Sequence, residues 1–70
     1  MGITTTVYVA YNALQNIECY ATKTIDEFYG KTTYAVCGRN VSEKSFNEYL
    51  IFFNHLPENS RKTIVSSIEI

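Results

Sequence analysis

The sequence predicts an α+β domain: a small antiparallel sheet in β-β-β-α-β order with one helix packed on one face. Three observations predict it. The first forty residues are rich in β-branched and aromatic side chains, which suit a pleated surface. Residues 43–55 switch to the spacing of an amphipathic helix. The chain has 70 residues, is 46% hydrophobic, and contains only three Gly and one Pro. It therefore reads as one domain (1–70) held by dense packing rather than by loops.

The elements follow in order. Residues 4–11 form the first strand, and residues 12–16 a polar-flanked turn. Residues 17–25 form the second strand, and 26–31, with two acidic residues and Gly30, the second turn. Residues 32–37 form the third strand, stopping near Gly38. Ser42 is positioned as a helix N-cap, with Asn40 a weaker rival. The helix runs from about residue 43 to 55, and Pro57 stops it. From 62 to 70, Ile64, Ser66, Ile68 and Ile70 alternate with Thr63, Val65, Ser67 and Glu69. That is a strand pattern, with a short helix through Ile64 and Ile68 as the alternative.

Helical periodicity gathers Phe46, Tyr49, Leu50, Phe53 and Leu56 into one sector, which should face the sheet. Ile51 falls on the polar side and Phe52 at its border. Centring the turns near residues 14 and 28 places Val9 opposite Cys19 and Cys19 opposite Cys37. The helix-facing floor would then carry Val7, Val9, Cys19, Ala21, Ala35 and Cys37, small residues under a bulky helix. The opposite face would carry Tyr8, Tyr20 and Tyr34, with no second helix to cover it. A slip of one residue would invert these faces.

Function classes narrow by composition. Net charge is −1, with six Lys plus Arg dispersed along the chain, which gives no footprint for polyanions or anionic membranes. No basic n-region precedes an apolar run, so a cytoplasmic protein is expected. Cys19, Cys37 and His55 are too few for a zinc site, and neither a cofactor nor a bound metal is expected. The cysteines read as two reduced, small apolar residues; a disulfide is the alternative, because the register makes them cross-strand neighbours. No Gly-rich phosphate loop exists, and His55 falls on the outer helix face, away from both thiols. Asn40-Val41-Ser42 fits the glycosylation sequon, a match common by chance.

The expected function is therefore non-enzymatic. Tyr8, Tyr20 and Tyr34, with Ile51 and Phe52 as a smaller spot, are the candidate partner-binding residues, because Tyr combines a large ring with a polar handle. In size and composition the chain resembles small accessory proteins of phages and mobile elements, anti-CRISPR and anti-restriction proteins among them. That analogy implies a stoichiometric inhibitor or modulator of a host enzyme or defence complex. The alternatives are a single-stranded nucleic-acid module that stacks bases on the tyrosines, and a structural subunit stable only as an oligomer, such as a homodimer.

Overall fold

The computed structural model describes residues 1–69. Four strands come first: β1 (Gly2–Tyr11), β2 (Ile17–Asp26), β3 (Lys31–Val36) and β4 (Arg39–Val41). Helix α1 (Glu43–Asn54) and a single 3-10 turn (Glu58–Ser60) lead to β5 (Arg61–Glu69). Every pairing is antiparallel, in the order β4-β3-β2-β1-β5. Helix α1 thus carries the chain from one edge of the sheet, across one face, to the other edge. The α+β class holds, with one strand more than the sequence predicts. The missed strand, β4, follows a two-residue turn in which Cys37 and Gly38 both have positive φ, 50° and 83°. Such a turn matches the twist of a hairpin, but a Cys in its first position gives no signal of it. Asn40 consequently lies in β4, while Ser42 caps the helix and accepts a hydrogen bond from the Ser45 amide at 3.2 Å. Residues 61–69 are a strand, not a helix; Ile70 lies outside the described residues.

Two side chains build the long hairpin turns. Asn12 Oδ1 accepts hydrogen bonds from the amides of Leu14 and Asn16, at 2.9 and 3.0 Å. Asp26 Oδ1 accepts from those of Phe28 and Tyr29, at 2.9 and 3.4 Å. Short acceptors of this kind take the place of backbone carbonyls where the chain reverses.

The register corrects the expected faces. Next to the first turn the predicted phase holds, with Tyr11 opposite Ile17. One step further Ala10 pairs with Cys19, so Glu18 is an extra residue, a β-bulge. Beyond it Val9 pairs with Tyr20 and Tyr8 with Ala21. Between β2 and β3 the loop closes Asp26 on Lys31, so Ala21 meets Val36 rather than Ala35. Each shift of one residue turns a strand over. Strand β2 keeps its predicted orientation, while β1 and β3 are reversed against it. Tyr8, Cys19, Ala21, Tyr34, Val36 and Val41 pack toward the helix, and Val7, Val9 and Ala35 lie on the other face.

The helix sector is as predicted. Phe46, Tyr49 and Phe53 are buried, Leu50 and Leu56 half-buried, and Ile51 and Phe52 exposed. Phe46 is 1% exposed. Its ring lies 5.8 Å from that of Tyr8 and 4.9 Å from that of Tyr34. Phe53 meets Tyr8 edge-on at 5.4 Å. Such tilted and edge-to-face pairs add to the stabilisation from burial alone.

Cys19 and Cys37 are adjacent as expected, with Cα atoms 5.6 Å apart, although the observed register sets Cys37 beside Tyr20 rather than opposite Cys19; they are joined in a disulfide, not reduced. The reading of two small buried thiols does not hold: Cys19 is half-buried and Cys37 exposed at the turn. The bond ties the β3–β4 turn to β2, beside a 2.7 Å hydrogen bond from the Cys37 amide to the Tyr20 carbonyl. Closing a loop with a sequence separation of 18 restricts the unfolded chain by roughly 3 kcal/mol. The double variant Cys19→Ala/Cys37→Ala should lose about that much, seen as a lower urea midpoint with a steeper slope, because the unfolded chain is more open without the crosslink. An unchanged midpoint would mean that the crosslink does not bear on stability.

Candidate protein-binding surface

The five candidate residues do not share one face. Tyr8 and Tyr34 lie under the helix, because the bulge and the second turn reverse their strands. Tyr20 remains on the uncovered face, 41% exposed. Ile51 and Phe52 are on the outer side of α1, 61% and 45% exposed, separated from Tyr20 by the full thickness of the sheet and helix.

The tyrosines drawn into the core use both ring and hydroxyl. Tyr34 donates to Glu43 Oε2 at 2.7 Å, fastening β3 to the first turn of α1. That hydrogen bond, then desolvation, then the charge of Glu43 raise its pKa above the ordinary tyrosine value. Glu43 also suits the positive end of the helix dipole. The Tyr49 hydroxyl lies 3.0 Å from the Tyr8 carbonyl and 3.3 Å from that of Cys19. The Cys19 carbonyl adjoins the bulge, and that of Tyr8 lies two residues from it on the neighbouring strand, so one helix hydroxyl bears on both strands. Burial first, then the charge of Glu18, raise the pKa of Tyr49.

The uncovered face is built by alternation from the same registers. Its centre carries Val7 and Val9 from β1, Tyr20 and Thr22 from β2, and Ala35 from β3. Ile64 and Ile68 of β5 extend it, both exposed. Val9 is buried although nothing packs on that side; its cross-strand neighbours are the long side chains of Tyr20 and Lys62. Charges sit at the margins, in Asp26, Lys31 and Lys62. Val7 and Val9 were missed as site residues because the predicted register placed them in the core, and Ile64 and Ile68 because the sequence assigned their segment to no face. Their even mixture with threonine was the available signal.

Among the described residues no cavity or cleft encloses a small molecule, and no three His, Cys, Asp or Glu side chains are placed to hold a metal. His55 caps the helix, its Nδ1 lying 2.7 Å from the Ile51 carbonyl, and neither cysteine is free. No described helix is long and apolar enough to cross a membrane. Comparison with family models, curated proteins and solved structures gave no match.

Both raised tyrosine pKa values favour the protonated hydroxyl in the fold. Their contribution is whole below about pH 10 and is lost as pH rises through the folded-state values. Tyr49→Phe should therefore cost about 1 kcal/mol at neutral pH, one hydrogen bond. It should also show a shallower loss of stability above pH 10 than wild type, measured by urea unfolding across the alkaline range.

Proposed function

We propose that this protein is a non-enzymatic binding module that holds a partner protein against the uncovered face of its sheet. The observation that carries the reading is the face itself: five strands with a helix on one side only, and a neutral, apolar and threonine-rich surface on the other. Strand spacing and rise give this face roughly 600 Å² in plan. That approaches the ~800 Å² that each partner contributes to a standard interface. Tyr20 is its aromatic anchor, and marginal charges leave the centre free of desolvation cost. The partner is accordingly a protein with a neutral, flat, apolar surface. A stoichiometric inhibitor or modulator, the role taken by the small accessory proteins that the chain resembles in size, acts by this kind of occlusion.

Only one of the three tyrosines remains on this face, which weakens the platform for stacking successive bases, and its basic residues among those described, Lys31 and Lys62, lie on opposite margins rather than along one groove. The cytoplasmic location expected from the sequence is likewise a proposal. The Cys19–Cys37 bond counts against it, since disulfides persist in oxidising surroundings.

The reading is tested by Tyr20→Ala and Thr22→Arg, both central on the face, in pull-downs from the source cell with the melting temperature measured in parallel. Each variant should stay folded and lose the partner, with a binding cost of about 2 kcal/mol for the anchor tyrosine. If both bind normally and Ile51→Asp does not, the outer face of α1 is the interface instead. A tight, salt-sensitive complex of the purified protein with single-stranded DNA or RNA would replace the reading with nucleic-acid binding.

A further inference from the structure

The two edges of the sheet are unlike. Strand β4 is three residues long and pinned by the disulfide turn. Strand β5 is nine residues long, pairs only with β1, and leaves its outer row of amides and carbonyls open. Proteins blunt such edges with Pro, bulges, or charges in mid-strand. Strand β5 has none of these: its register with β1 is unbroken from Ala10–Arg61 to Gly2–Glu69, and residues 63–68 carry no charge. No other described element covers it.

Its charges lie at the two ends and are opposite in sign. Arg61 opens the strand and Glu69 closes it, both on the helix side by alternation. An antiparallel copy of the same strand therefore meets it with complementary ends. Only the register centred on Val65 pairs all nine residues. It sets Arg61 against the second copy's Glu69, Lys62 against Ile68, Thr63 against Ser67, and Ile64 against Ser66, each twice by symmetry; the Lys62 ammonium stays in water on the uncovered face. Arg61 already reaches the Asn54 carbonyl at 3.4 Å, which leaves most of its five N–H donors free. Val65 stands on the axis, 62% exposed, with Thr6 of β1 as its cross-strand neighbour on the inner side and none on the outer side among the described residues.

We propose that β5 pairs antiparallel with β5 of a second copy about a two-fold axis at Val65, joining two five-stranded sheets into one of ten strands. Both helices then lie on the same side, and the two uncovered faces form one continuous surface. The pairing does not depend on what binds that surface, and the variants below do not touch Tyr20 or Thr22.

Sedimentation equilibrium over a wide protein concentration range tests it. The wild type should dimerise reversibly. Val65→Lys sets two ammonium groups opposite one another and should weaken the dimer about tenfold or more, with the circular dichroism of the monomer unchanged. Glu69→Arg converts two attractive contacts into two repulsive ones and should weaken it roughly tenfold. Arg61→Glu combined with Glu69→Arg should restore it. Val65→Cys should crosslink to its own copy under mild oxidation, whereas Ser67→Cys, which faces Thr63 of the other copy, should not. A wild type that stays monomeric up to millimolar concentration overturns the proposal. So does a dimer that ignores Val65→Lys but dissociates with Thr22→Arg, which would be a face-to-face pair. Association that grows without limit would mean that the edge pairs head to tail.

Discussion

The burial of Phe46 in one cluster with Ala21, Tyr49 and Phe53 is the constraint on which the rest of the structure depends. The ring is almost wholly buried, and Ala21, with no side chain beyond Cβ, leaves room for the helix's bulky residues. Tyr8 and Tyr34, on the strands either side of β2, close around the ring. Had β1 kept the phase of its turn, Val7 and Val9 would stand there and the Tyr8 ring would face water. The bulge at Glu18 sets the Tyr8 wall beside the alanine floor, the closing of Asp26 on Lys31 sets the Tyr34 wall there, and the Tyr49 hydroxyl ties the helix to the Tyr8 and Cys19 carbonyls.

The helix was legible because its signals are local and redundant. Ser42 supplies the cap, Pro57 the stop, and five apolar residues fall in one sector. The strands were legible from their composition, except for β4, where three residues are too few to show alternation. The allocation of faces was not legible, because it rests on parity, and one extra residue reverses parity without changing composition. Tyrosine gave no warning, since its ring suits a core and its hydroxyl suits water. Tyr20 was placed correctly and Tyr8 and Tyr34 were not, for no reason beyond which strands carry the shifts. The expected small spot at Ile51 and Phe52 was read correctly as exposed because helical phase accumulates no such error.

The crosslink and the bulge act at the same end of the sheet. Cys19 follows the extra residue directly, and its partner Cys37 occupies a left-handed backbone position that a non-glycine residue rarely adopts. Bond, turn and helix packing therefore reinforce one another over β2, β3 and β4. Strand β5 receives none of this support and is held by β1 alone, apart from the reach of Arg61 to the end of α1.

The helix is shorter than the strands it rests on. The molecule extends 39 × 23 × 18 Å, and the packed cluster occupies only the end of the sheet around Tyr8, Ala21 and Tyr34. The far end, residues 2–6, 23–26 and 65–69, has neither face covered. It is held by backbone ladders and hydroxyl pairs such as Thr4–Ser67 and Thr5–Thr24. Amide exchange should consequently run as a gradient along the strands. The far end opens by fraying at little cost, while the amides beneath α1 wait for the whole domain to come apart.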